Sequence, residues 1–461
     1  MIISVIGSGG KTTKIKQLKD QYLKEGKSVL MTTSTHMKIE KNTLVDPSYE
    51  EIINEIKKYG FVHAGNKAEN QKIKTLDNDL LKRLKEEIDV ILIEADGSHG
   101  LPLKYPRNHE PVVDKESDKI ILITSLKGLG RPVHDVVHGY QEMKIEGSQK
   151  VDSILVQRLI NIYLEKIKKY NIPIEIQVNG ANTLYKRALA SLLENQKDVT
   201  LINEEWFLPQ PKLVILGAGH VSQYVSKFAS MLDFYTIVID ERKEFACKEL
   251  FPEANEIYCV SFDKADSYFP KETNTCYVIV TRGHKDDRLC LKKTLSLKSL
   301  YVGMIGSKKK VKQTYDALLE EGYQQTELDK VHAPIGLPIK AVTPAEIAVS
   351  IMSEIIAIKN EHQYSSMTSD LLEVKDDGVL CIITDKKGST PRTVGSMMFV
   401  SEKELVGSIG GGREEYQAIL DAKNCQKVMM KHYELNNSES ANLGMICGGS
   451  NDVLFIPIKQ H

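Results

Sequence analysis

Cysteine is scarce and poorly placed for a scaffold. All seven cysteines lie after residue 246 and none sits in a CxxC pair. That excludes a disulfide framework and a cysteine-based structural zinc site, and makes a reducing, cytoplasmic compartment the expectation. Net charge is almost absent too: 61 Lys and Arg against 62 Asp and Glu leave −1. This balance speaks against nucleic acid or membrane surfaces as partners. No apolar run approaches the roughly 20 residues that cross a bilayer. The opening MIISVIGSGG has neither the basic start nor the long apolar stretch of a secretory signal. What remains is ordinary globular composition, 41% hydrophobic and 27% charged, in 461 residues, a length that suits about three domains.

The chain divides into three segments. Residues 1–205 alternate apolar strands (ISVIG, SVLMTT, DVILIEADGS, KIILITSL) with Lys/Glu-patterned helices, the mark of a buried parallel sheet. NEEWFLPQP, with the only tryptophan and two prolines, marks a linker. Residues 212–358 begin a new βαβ series (KLVILGAG, FYTIVID, CYVIVTRG, YVGMIGS) and close on a helix that Thr343 caps, with Pro344 first and Glu346 completing a capping box. Polar residues 359–377 form a second linker. Residues 376–461 are short β runs with Gly turns. The expected class is α/β: a P-loop-type parallel sheet domain, a Rossmann-like domain, and a small β-rich α+β domain.

Each segment carries a Gly-rich loop suited to phosphate. The first, Gly7-Ser8-Gly9-Gly10-Lys11-Thr12-Thr13, is one Gly short of a full Walker A motif, because Val5 stands where the first Gly belongs. Backbone N–H groups at a helix start bind anionic oxygens, Lys11 meets terminal phosphates and Thr12 meets magnesium. The partner acid is Asp96 or Glu94 in DVILIEADGS, at the end of a buried strand. A guanine-reading NKxD is missing; the late strand ends in VNGAN, so ATP with Mg²⁺ is the expected ligand. The bland alternative is a plain Gly-rich turn with surface carboxylates.

GSGGKTT, VLMTTSTHM, IEADGSHGLPLKYPRNHEPVV and LKGLGRPVHDVVHGYQ resemble the YqeC-type accessory proteins of selenium-dependent molybdenum hydroxylases. That resemblance spans most of residues 1–200 and implies a nucleotide-binding accessory role; on the loop's own reading, Lys11 and Asp96 carry the nucleotide chemistry and Thr12, Glu94 and Asp96 are the metal ligands.

The second loop, Gly217-Ala218-Gly219-His220-Val221-Ser222, follows a strand and opens a helix. Ser222 replaces the third Gly of the dinucleotide fingerprint. Asp240 ends the next strand, where an acid bonds ribose hydroxyls; Arg242 nearby would suit a 2′-phosphate, leaving NAD versus NADP open. His284 and Asp286, and Gly306-Ser307 followed by Lys308–Lys310, fall at strand ends facing the same crevice, with capping and a solvated helix face as their alternative readings. VILGAGHVS, VIDERKEFA, YVGMIGSKKK, APIGLPI and TPAEIAVSIMSEI resemble the Rossmann half of the XdhC/CoxI family.

The third segment holds Arg392 beside GST, then Gly410-Gly411-Gly412, and Cys447-Gly448-Gly449. These motifs resemble the other XdhC/CoxI domain, which usually precedes the Rossmann half; here it follows. The family's GGGC reads GGGR, with Arg413 in the Cys position, leaving Cys447 as the thiol in a family motif. The resemblance implies molybdenum cofactor bound on the bare N–H groups of these turns, a molybdenum hydroxylase apoenzyme as recipient, and a cysteine desulfurase or selenium donor as partner; it leaves homo-oligomerisation open. An NAD(P)-dependent oxidoreductase with a regulatory P-loop, or a Mur-type ATP-dependent ligase, are the competing readings.

Overall fold

The structure is a computed structural model describing every residue except 98–99, 203, 208–209, 271, 362–366, 389, 391, 435–448 and 460–461. Cys447 and Gly448 lie outside the described residues. The first sheet has nine strands. Its parallel centre runs in the spatial order Ile174–Asn179, Lys119–Ser125, Ile2–Gly7, Val90–Glu94, Val29–Thr33, Phe61–Ala68. Helices cover both faces, so the central strands are buried throughout: every residue of Ile2–Gly7, Val29–Thr33 and Val90–Glu94 is buried, while the edge strand Ile174–Asn179 alternates. At one edge Phe61–Ala68, Lys72–Lys74 and His36–Lys38 continue as an antiparallel flap.

The second sheet is fully parallel, ordered Glu256–Cys259, Tyr235–Asp240, Lys212–Leu216, Thr275–Ile279, Tyr301–Met304, with separate cores on its two faces. That is half of a doubly wound fold, with its topological switch beside the Lys212–Leu216 strand. The closing helix Pro344–Glu361 starts as expected: Glu346 accepts the N–H groups of Val342 and Thr343, and its own N–H donates to Thr343 Oγ1 at 3.3 Å.

The third sheet is antiparallel throughout: Leu405–Gly407, Met397–Val400, Gly378–Gly388, Gly449–Ile458, Met429–Glu434. One face carries the helix Gly412–Lys423. Its other face (Leu380, Ile382, Phe399, Leu454, Ile456) shares a continuous apolar core with the first segment. The helix Leu184–Glu194 packs on the Gly449–Ile458 strand, and wedged between two sheets it buries every residue from Arg187 to Leu193. Helices buried all round lose the usual polar stripe. Two stretches expected as linkers join this core: Trp206 and Phe207 are buried, as are Met367, Leu371 and Val374. The physical reason is that the third sheet has apolar residues on both faces and one helix to cover them.

Arg187, buried in this seam, donates to the carbonyls of Val374, Lys375 (2.9 Å) and Asp376 (3.2 Å). Arg187→Ala leaves these acceptors without their donor, at a cost of about 1–3 kcal/mol. Urea unfolding followed through Trp206 should show that loss, and an unchanged midpoint would exclude the guanidinium as a clamp. Glu194, at the helix end, accepts the Val178 N–H at 2.9 Å. Burial raises its carboxyl to about 7 despite that bond, with Glu175 adding to the rise. The folded state therefore holds the proton more tightly than the unfolded chain, and this group's contribution to stability declines as pH rises from 4.5 through about 7. Glu194→Gln should flatten the pH dependence of unfolding free energy between about pH 5 and about pH 8.

Candidate functional site

The first loop lies where the buried strand Ile2–Gly7 gives way to the helix Lys11–Lys24, at the carboxyl end of the parallel sheet. Its glycines are demanded by close packing. A Cβ on Gly7 would stand 2.0 Å from Ile123 O, one on Gly9 2.5 Å from Pro102 O, one on Gly10 2.4 Å from Asn179 Nδ2, and all three have positive φ. Asn179, from the VNGAN strand end, also donates to Gly9 O at 3.1 Å. Gly10 caps the helix with no side-chain hydrogen bond, which leaves the helix start open to an anion.

Lys11 is buried, and its Nζ donates to Gly7 O at 2.6 Å. Desolvation lowers its pKa, while Glu94 and Asp96 oppose the shift. Thr12 donates to Glu94 Oε2 at 3.3 Å. Gly9, Gly10, Lys11, Thr12, Thr13 and Glu94 all line one cleft of about 1780 Å³. Burial pushes the Glu94 carboxyl up, with Lys11 and Thr12 opposing. Among the described residues, no three His, Cys, Asp or Glu side chains converge as a metal cluster. A magnesium ion beside Thr12 and Glu94 would thus complete its shell with phosphate and water oxygens, its usual habit.

Asp96 stands apart from that pair. It is fully buried behind the loop, off the cleft wall. Its carboxylate accepts Gly7 N–H at 3.2 Å, the Tyr163 hydroxyl and the Lys104 ammonium. Lys104 has no exposed side-chain surface and also reaches Glu110 Oε2 at 2.8 Å and Gly97 O. Burial, then the Asp96 charge, hold the Tyr163 hydroxyl in its neutral form. Lys104, Glu110 and Tyr163 escape a reading of motifs. The first two sit inside GLPLKYPRNHEP, within one of the stretches that carry the YqeC resemblance, yet nothing in spacing says that an exposed-looking Lys turns inward.

The second loop is built differently. Gly217 has φ +109, and a Cβ there would meet Val280 O at 2.5 Å, so the fold needs that glycine. Gly219 has ordinary extended backbone, and a Cβ would meet nothing within 4 Å. Its bare side leaves room for a ligand. His220 opens the helix, Ser222 donates to Gly217 O at 2.6 Å, and Ser307 caps the helix after Gly306 by accepting Lys310 N–H. Asp240 is not available to a ribose in this arrangement. Its oxygens accept Ala218 N–H (2.7 Å) and three N–H groups of Arg242, two of them in a forked side-chain pair. Burial opposes its ionisation, but the Arg242 and Ala218 bonds outweigh burial and hold it below the usual carboxylate range. His284 and Asp286 open the Thr281-to-Leu295 turn and helix, while the buried Asp287 takes Lys310 Nζ at 2.5 Å and the Thr281 hydroxyl.

The third loop corrects an expectation. Its N–H groups are not bare: those of Ile409 (3.0 Å), Gly410 (3.2 Å) and Gly411 (3.1 Å) converge on Glu415 Oε2, joined by the Ser408 hydroxyl at 2.6 Å. The turn does form an anion nest, and the chain's own carboxylate fills it. Gly412 then opens the helix, Arg392 is exposed in the turn before the Met397–Val400 strand, and Gly449 begins the Gly449–Ile458 strand paired with Gly388. With Cys447 and Gly448 outside the described residues, no thiol is placed against this nest.

Family models match all three segments. Residues 3–141 match the YqeC protein model, residues 213–355 the XdhC Rossmann domain, and residues 371–432 the XdhC and CoxI family. YqeC, an uncharacterized protein of Escherichia coli (strain K12), is 35% identical over 139 residues, 29% of this chain and 54% of that protein. YqeB of the same organism, also uncharacterized, is 33% identical over 152 residues, 33% of this chain and 28% of that protein. A probable xanthine dehydrogenase subunit of Bacillus subtilis (strain 168) is 29% identical over 148 residues, 32% of this chain and 43% of that protein. The matches thus span between 28% and 54% of those relatives' lengths. This chain carries a YqeC-like segment followed by XdhC-like Rossmann and XdhC/CoxI-like segments.

The buried charge network makes a direct prediction. Lys104→Met strands the Asp96 carboxylate in the protein interior, leaves Glu110 on the cleft wall without its partner, and should cost about 3–5 kcal/mol. Adding Asp96→Asn should recover part of that loss in urea denaturation, because the charge to be compensated is then gone. Recovery of nothing would mean that Lys104 acts through packing alone.

Proposed function

We propose that this chain is an accessory factor for molybdenum hydroxylases of the xanthine dehydrogenase type. In this reading it binds ATP–Mg²⁺ in the first segment, handles molybdenum cofactor through the XdhC-like segments, and aids its sulfur or selenium modification and insertion into the apoenzyme. The observation that carries the reading is the joining, in one chain, of an uncapped helix start armed with Lys11, Thr12 and Glu94 to both XdhC-type segments. Bound there, ATP would supply an activated phosphoryl group whose charge magnesium would partly neutralise.

The chain's own residues do the rest. The helix-start N–H groups receive phosphate oxygens. Lys11 exchanges Gly7 O for them, trading a neutral acceptor for an anionic one at a site where burial has strengthened the interaction. Thr12 and Glu94 orient the metal side. We assign Asp96 to holding the loop rather than the metal, since Gly7, Lys104 and Tyr163 already claim its oxygens. The Asp240–Arg242 fork argues against Asp240 meeting a ribose, while Gly219 leaves room beside the loop.

ATP–Mg²⁺ at a hundredfold excess over Kd should stabilise the protein by about 2.7 kcal/mol. Lys11→Ala should remove that shift and leave the melting temperature of the free protein near the wild-type value. The accessory role is tested by purifying the chain from cells that make molybdenum cofactor and measuring released pterin and molybdenum by mass spectrometry. A nucleotide-competent protein that carries neither, and does not raise the activity of a co-expressed hydroxylase, would sink the role.

A further inference from the structure

The nucleotide loop forms one wall of its cleft. The antiparallel flap lines the same cleft, and its strand register concentrates positive charge. Lys38 stands directly opposite Lys72, and His36 directly opposite Lys74. Residues two apart on a strand share a face, so these four side chains point the same way. The other face puts Met37 and Ile73 into the core, which fixes the register and leaves the cationic face no freedom to slip. Lys38, Lys72 and Lys74, with His36, line the same cleft as Lys11 and Thr12.

Like charges directly opposite on paired strands are destabilising. Nothing on the flap relieves them: among the described residues Lys38, Lys72 and Lys74 make no ion pair. Two of the cleft's acids are engaged elsewhere, Glu40 with Lys16 at 2.7 Å and Glu110 with Lys104 at 2.8 Å. Glu69, exposed near the hairpin tip, also lines the cleft. The cleft is also larger than one nucleotide requires: about 1780 Å³, where a drug-sized ligand occupies roughly 300–1,000 Å³.

We propose that the Lys38–Lys72–Lys74 face is a second anion site, holding a phosphate-bearing small molecule across the cleft from the nucleotide, so that the cleft is a two-substrate site. This rests on the nucleotide reading for the occupant of the loop, but the flap is testable without it. A phosphate there neutralises the Lys38–Lys72 repulsion, so its binding relieves strain present in the free protein.

Inorganic pyrophosphate is the probe, titrated calorimetrically into the full chain at matched Mg²⁺, with and without a saturating non-hydrolysable ATP analogue. Pyrophosphate should bind in both conditions, more weakly as salt rises. Lys38→Ala, Lys72→Ala and Lys74→Ala combined should weaken it at least about tenfold, the loss of a few charge-assisted contacts, while analogue affinity stays near wild type. Lys11→Ala should do the reverse. The combined variant relieves repulsion, so its melting temperature should not fall. Equal pyrophosphate binding in wild type and the combined variant overturns the second site. So does strict displacement of pyrophosphate by the analogue, which would make the flap part of the nucleotide's own seat. Failure of the analogue to bind wild type removes the nucleotide reading, and the arm without analogue still decides the flap.

Discussion

A single buried carboxylate organises the first segment. Asp96 lies fully inside the protein, and its ionised form is tolerable only because a backbone N–H, a phenol and an ammonium converge on it. Each partner comes from a different piece of chain. Gly7 belongs to the first Gly-rich loop, Lys104 to the segment after the Val90–Glu94 strand, and Tyr163 to the helix Ser153–Ile167. Remove the charge balance and three elements lose their common reference. Of the two acids expected at the metal, Asp96 is taken up by these three contacts, and Glu94, two residues earlier, lines the cleft.

A comparable constraint acts between segments. The third segment has one helix for two apolar sheet faces, so its second face takes cover from the Leu184–Glu194 helix. This seam explains why that helix carries so little polar surface, and why Arg187 directs its donors to the backbone of residues 374–376. It also connects the first sheet to the third segment mechanically. The Ile174–Asn179 strand, whose Asn179 braces Gly9, is followed at once by that helix, so one short run of chain touches both the loop and the seam.

Much of the fold was legible in the sequence. Unbroken apolar runs marked the parallel strands, and Thr343, Pro344 and Glu346 marked a helix start that the hydrogen bonds bear out. What could not be read were contacts between residues distant in the chain. Trp206, Phe207 and Met367 look like linker residues because local pattern cannot show that a distant sheet face lacks cover. Lys104 looks like a surface lysine because its partner Glu110 and its burial both depend on how a coil segment folds back. Family resemblance located that segment without explaining it; the reason is a buried ion pair.

The three Gly-rich loops show most plainly where sequence reasoning stops. All three offer N–H groups, yet each has a different tenant. At the first, Gly10 provides no side-chain cap and Lys11 waits on a carbonyl, an arrangement ready to exchange for phosphate. At the second, the acid expected to greet a ribose is clamped by Arg242, two residues on, while Gly219 stays open on its bare side. At the third, Glu415 folds back from the first turn of the following helix and takes three N–H groups itself. Glycine count reports only that a chain can form such a nest. Whether the nest is free depends on a carboxylate four or five residues downstream, close enough to reach back at the small entropic cost of a short loop. At the third loop an external anion must displace that tethered competitor, whereas the helix starts at Gly10 and at Gly219 carry no side-chain cap bond.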